Sequence, residues 1–189
     1  SITSEPISEE GLAWANPDSA PVGSDTTNSN TYTGVITVED PDSSTFTYKL
    51  TQPVTVLTSN GTALTWESSG DNTLFGKVGD TVIITITVNN SDNTYQVTLS
   101  GPLDHPDKTL EDVLSFDVGV VANDGIVDSD SFALTIKVED DSPIYAADVS
   151  DVLVNTVNTV NTGTFAINLG ADNGSTASVS AFAIPNVST

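Results

Sequence analysis

VLSFDVGVVANDGIVDSDSFALTIKVEDDSP, residues 113–143, decides the fold. It reads as a strand over 114–121, an acidic Asn123-Asp124-Gly125 turn, a strand over 131–138, and an acidic cluster, Glu139-Asp140-Asp141, closed by Ser142-Pro143. Gly125 permits the tight bend between the two strands. Proline ends strand pairing and biases the residue before it to an extended backbone, so 142–143 reads as a domain exit. Carboxylates therefore stand at both ends of one β-hairpin.

The same pattern continues outward. Strand signals recur at 33–38, 45–50, 63–67, 81–88 and 94–99, and helical periodicity is hard to find. In TVIITITV, residues 81–88, Thr85 and Thr87 are expected to face water and Ile84, Ile86 and Val88 the core. Between the strands lie Asn60-Gly61, Ser69-Gly70-Asp71 and the polar run 89–93, all turn-forming. Many short strands at this spacing predict an all-β fold, an immunoglobulin- or cadherin-like β-sandwich. Residues 1–145 read as one complete module.

Beyond Pro143 comes a threefold Val-Asn-Thr repeat at 154–162, then strand signals at 163–169 and 175–184. Some 45 residues do not readily bury a core of their own. Residues 146–189 are thus either a linker with the opening strands of a second, possibly split, sandwich, or strands that pack back on the first. The former is the expectation.

Composition narrows the function. The 189 residues hold 26 Asp and Glu against 4 Lys and no Arg, a formal charge of -22. Clustered cations for nucleic-acid phosphates or an anionic membrane surface are lacking, so neither partner is expected. Self-repulsion on this scale disfavours a compact state unless counter-ions screen it or bind. Cys and Met are absent, and a domain of this size can manage without disulfides in an extracellular setting. The chain does not begin with Met and shows no apolar signal region, and is read as a segment of a longer protein.

Six motifs occur in order: Ile7-Ser8-Glu9-Glu10-Gly11-Leu12, Asn16-Pro17-Asp18, Asp25-Thr26-Thr27-Asn28, Leu57-Thr58-Ser59-Asn60-Gly61, Pro102-Leu103-Asp104-His105-Pro106 and Val138-Glu139-Asp140-Asp141-Ser142-Pro143. Together they make the chain from about residue 2 to 145 resemble the repeat module of giant type I-secreted RTX adhesins of Gram-negative, often marine, bacteria. Gly163-Thr164-Phe165 and Leu169-Gly170-Ala171-Asp172-Asn173-Gly174 resemble the start of a next copy. The glycine-rich nonapeptide that names RTX proteins is absent, which puts only the β-roll type of calcium site in doubt. The resemblance implies an extracellular, cell-surface chain of sandwiches. In it, a calcium-stabilised module extends and scaffolds the adhesin beside neighbouring modules of the same protein. The alternative is a module that itself binds a host or surface glycan or peptide with the help of calcium.

Calcium takes six to eight oxygen ligands, several of them carboxylates. The candidates are Glu9 and Glu10 at the entry, Glu39, Asp40 and Asp42 after a strand, Asp124, Asp128 and Asp130 around the hairpin turn, Glu139, Asp140 and Asp141 at the exit, and Asp172 beyond it. Each cluster alone could equally be a solvated acidic loop. Asp104-His105-Pro106-Asp107 holds the sole histidine and reads as a polar loop. No nucleophile elbow accompanies it, and a zinc site would want further His or Cys. No enzyme is expected. Trp66 is expected half-buried on a strand, while Trp14 either plugs the sandwich edge or offers a stacking surface.

Overall fold

The computed structural model describes residues 1–16, 26–107, 112–141, 144–145, 167–168 and 170–172. In chain order the strands are β1 (Ile2–Thr3), β2 (Ile7–Ser8), β3 (Thr31–Val35), β4 (Thr47–Thr51), β5 (Thr58–Ser59), β6 (Thr62–Ala63) and β7 (Thr65–Ser68). They continue with β8 (Thr73–Val78), β9 (Thr81–Asn89), β10 (Thr94–Leu99), β11 (Val113–Asn123), β12 (Phe132–Glu139), β13 (Ile144–Tyr145) and β14 (Ile167–Asn168). One sheet runs β1-β12-β11-β4, with β2 also on β12; the other runs β3-β10-β9-β8-β7. The two face each other as an all-β sandwich around one core.

Period-two alternation puts one side of each long strand into that core. Ile84, Ile86 and Val88 of β9 are fully buried and meet Val118, Leu134 and Ile136 from the other sheet in the same cluster. Thr85 and Thr87 lie half-buried on the outer face. Burying each such aliphatic chain stabilises the fold by about 1.5–3 kcal/mol. The β5–β6 hairpin turns through Asn60 (φ 49°) and Gly61 (φ 74°), the doubly positive pair that a two-residue turn matching strand twist requires.

Strand β8 was not signalled by periodicity. Gly76 and Lys77 interrupt the alternation of TLFGKV, and the register with β9 slips between those residues. Packing accounts for the glycine at that point: a Cβ on Gly76 would stand 2.8 Å from Ile84 Cγ2 and 2.9 Å from Leu64 Cδ2. On the opposite sheet the free edge of β4 is covered rather than open. Leu50 N–H donates to Asp71 O and Tyr48 N–H to Asn90 Oδ1, both from turns of the facing sheet.

Two short parallel pairings set up the site. β1 pairs with β12 at Ile2–Leu134, and β2 pairs with it at Ile7–Val138 and Ser8–Glu139. Running parallel to β12, the entry segment reaches the end of the sandwich where β12 leaves it. Glu9 and Glu10 thereby come to the same pole as Glu139, Asp140 and Asp141. Val154 to Thr162, the strand signal at 175–184 and the 142–143 exit lie outside the described residues. The 163–169 signal is represented by β14, which pairs antiparallel with β13 at Ile144–Asn168. No described helix is long and apolar enough to cross a membrane.

Candidate metal centre

The entry turn begins at Ser8, whose Oγ accepts the Glu10 N–H at 3.0 Å and caps a single 3-10 turn, Glu9–Gly11. That turn drives both glutamates inward: Glu9 is 0% and Glu10 4% exposed. Across from them, Glu139 and Asp141 are each 1% exposed. An ionised carboxylate taken out of water costs several kcal/mol unless hydrogen bonds, a proton or a cation compensates it. Each of these groups must therefore have a compensating partner.

Glu139 is met by the loop before β3: it accepts from Thr26 N–H and Thr27 N–H at 3.1 Å each and from Thr26 Oγ1 at 2.5 Å. Asp141 gathers two distant segments, accepting from Asn16 N–H at 3.0 Å and from Ala171 N–H at 2.6 Å. Gly170 makes the second contact possible. Its φ of 63° is left-handed, and a Cβ there would overlap Asp141 Oδ2. Trp14 adds an Nε1–H to the Ala171 carbonyl at 3.4 Å while remaining 47% exposed, so it ties the entry segment to the Gly170–Asp172 turn.

Glu9 is less well served. Its Oε1 accepts the Leu103 N–H at 2.6 Å, but Oε2 is buried with no hydrogen-bond partner. Burial dominates its titration and pushes the carboxyl up to about 7, against the lowering effect of His105 and of the Leu103 N–H. His105 is 7% exposed, whereas Asp104 and Asp107 in the same polar loop are half-buried and Pro106 is exposed. Asp104 and Asp112 hold that stretch in place. Asp104 Oδ2 accepts from Gly61 N–H, and Asp112 accepts from Asp107 N–H and lies 2.7 Å from His105 Nδ1. Burial alone would lower the His105 pKa, yet Glu9, Asp140 and Asp112 outweigh it and raise it to about 9. One ligand atom each from Glu9, His105 and Asp140 falls within 4.8 Å of the others.

The remaining candidates behave differently. Asp40 Oδ1 accepts from Asp42 and Ser43 N–H, and Asp124 Oδ1 from Ile126 and Val127 N–H, so each organises its own turn. Asp128 accepts from Asn123 Nδ2 at 2.7 Å, which brings both sides of the hairpin turn together. Asp42, with its carboxyl raised by a hydrogen bond to Asp40 and by its charge, also feels Asp124. Glu39, Asp42, Asp128 and Asp130 are exposed. These residues lie at the end of β11 and β12 away from Glu139. Beside them a polar groove of about 510 Å³ opens between β4 and the facing turns, lined by Lys49, Asp71, Asn72, Asn90 and Asp128. Asp172 closes the second 3-10 turn, and its side chain lies outside the described part of the structure.

Sequence reasoning thus found Glu9 and Asp140 but not His105 or Asp112 as their neighbours. The one available signal was that the sole histidine sits between two aspartates. Comparison with protein-family models, with curated proteins and with solved structures finds no match, so the likeness to adhesin modules rests on the chain's own motifs.

Proposed function

We propose that this chain is a calcium-stabilised structural module of a bacterial surface adhesin, extending and scaffolding a tandem array outside the cell. The observation that carries the reading is the concentration of buried carboxylates, Glu9, Glu10, Glu139 and Asp141, where the chain enters and leaves the sandwich. The residues fit a hard cation: oxygen donors dominate, and Glu9 Oε2 is a buried acceptor lacking a donor. Glu9, Glu10 and Asp140 would hold it, with Glu139 and Asp141 shaping the loops around it. The bound ion supplies positive charge to a chain of formal charge -22 and fixes the junction to the chain beyond Asp141. A joint with less freedom makes tandem modules behave as a rod.

A second reading, direct binding of a glycan or peptide, draws on the polar groove beside β4. Its lining offers amide and carboxylate hydrogen bonds, but Tyr48 there is buried, so no ring is presented for stacking.

Thermal melts of metal-free protein with and without Ca²⁺, at fixed ionic strength, test the reading. Extracellular calcium modules bind at roughly 10⁻⁴–10⁻³ M. Free ion at a hundred times that constant adds about 2.7 kcal/mol per site, on the order of 5–10 °C for a domain of this size. Equal midpoints in Ca²⁺ and in Mg²⁺ at matched ionic strength would remove the calcium reading.

A further inference from the structure

The single histidine stands where a purely calcium-binding pole has no use for it. Calcium selects oxygen, whereas an imidazole nitrogen suits ions such as zinc. His105 Nε2 is buried and makes no hydrogen bond, as is Glu9 Oε2. Glu9 itself is fully buried, and its Oε1 lies 3.6 Å from His105 Nε2. That is too long for a good N–H···O bond. It is the spacing of two ligands on one ion: at bond lengths of about 2.0–2.2 Å in tetrahedral geometry, neighbouring ligands stand about 3.3–3.6 Å apart.

The other ring nitrogen strengthens the case. His105 Nδ1 is 2.7 Å from Asp112 Oδ1. Metal-bound imidazoles characteristically donate their second N–H to a carboxylate, which fixes the tautomer and leaves Nε2 as a lone-pair donor. Asp112 is itself held in place, because its second oxygen accepts the Asp107 N–H and its carbonyl accepts the Asp140 N–H. Asp140, positioned by that contact, brings a carboxylate oxygen within 4.8 Å of the other two ligand atoms.

We infer that Glu9, His105 and Asp140 form a site for a first-row transition ion of the zinc class, oriented by Asp112, within the acidic pole. The inference rests on the reading of that pole as a cation site and places a second ion beside the calcium, one that calcium does not replace, with Glu9 and Asp140 each lending one carboxylate oxygen to this ion and the other to calcium. Sequence pattern could not reveal it, because two of the three ligands are carboxylates and the three are separated by more than thirty residues each.

Co²⁺, a spectroscopically visible substitute for Zn²⁺, gives the test. Metal-free full chain in several millimolar Ca²⁺ is titrated with Co²⁺ and followed by visible absorption. The expected result is a ligand-field band saturating at one equivalent, displaced by Zn²⁺ and unmoved by more Ca²⁺. His105→Asn should abolish the band while keeping the calcium-dependent rise in melting midpoint. Asp112→Asn should weaken Co²⁺ binding tenfold to a hundredfold. Should His105→Asn not fold, the parent still decides. With one histidine in the chain, a single paramagnetically shifted imidazole N–H resonance in the Co²⁺-loaded protein identifies the ligand, and its absence overturns the assignment. No band in the parent, a band erased by Ca²⁺, or a band that persists in a folded His105→Asn protein also overturns it, leaving His105 as a protonated counter-charge. Calcium stabilisation without the cobalt band would refute this inference alone. The band without calcium stabilisation would refute only the functional reading.

Discussion

At the scale of single residues, the metal-free pole is unsettled by pH in a definite direction. Glu9 holds its proton in the folded protein up to about 7, against an ordinary value of 4.5, because ionising it in a dry site is costly. What it contributes to stability is complete below about 4.5 and is lost as the pH climbs through 7. His105, raised from 6.5 to about 9 by Glu9, Asp140 and Asp112 against the opposing effect of burial, contributes in full below 6.5 and loses that contribution towards 9. Both slopes have the same sign. Metal-free protein should therefore melt at a higher temperature at pH 5 than at pH 8, with cations recovering more at pH 8, where their ligands are deprotonated. Glu9→Gln keeps an oxygen for the Leu103 N–H and removes the ionisation. Its metal-free midpoint should fall less between pH 5 and 7 than the parent's, and its gain from added cation should shrink. An unchanged pH slope in that variant would mean that Glu9 is not the titrating group.

At the scale of elements, the joint between the sandwich and the Gly170–Asp172 turn depends on backbone that only glycine adopts easily. Gly170→Ala forces a Cβ onto Asp141 Oδ2 at a positive φ, so the Ala171 N–H to Asp141 bond should break. Hydrogen exchange at Ala171 should then lose its protection, while amides of β9 and β12 keep theirs; retained protection at Ala171 would show that the turn is anchored in some other way. Legibility in the sequence follows the same division. Strands β9 to β12 could be read because their alternation is long and each is bounded by turn residues. β8 was hidden by Gly76 and Lys77, and the glycine answers to close packing against Ile84 of β9 and against Leu64, contacts distant in sequence. β1 and β2, two residues each, have no period to read; their parallel pairing with β12 is a tertiary choice. Of the site, the carboxylates of the entry and exit were visible as clusters. The division between turn-forming Asp40, Asp124 and Asp128 and the buried pole was not, because it depends on which end of β12 the entry segment reaches.

For the molecule as a whole, core and pole should be separable thermodynamically. Leu134 is fully buried between the sheets, opposite Val118 in the β11–β12 pair. Glu139 lies five residue steps along extended β12 from it, roughly 17 Å. Leu134→Ala removes packed methyl groups and leaves a cavity, a loss of about 2–5 kcal/mol. Sites this far apart with no shared partner usually add. The variant should thus lose the same free energy in the presence and absence of Ca²⁺, as read by urea unfolding under both conditions, and keep the parent's full calcium increment. Glu9→Gln should do the reverse, with a small effect without metal and most of the increment gone. The double variant should sum the two within about 0.5 kcal/mol. This pattern is what a scaffold needs, since the sandwich then stays folded on its own packing while the ion governs only the end where the chain leaves it. A calcium increment that collapses in Leu134→Ala would mean instead that the ion stabilises the sandwich globally, and the separation of a self-sufficient core from an ion-governed joint would have to be given up.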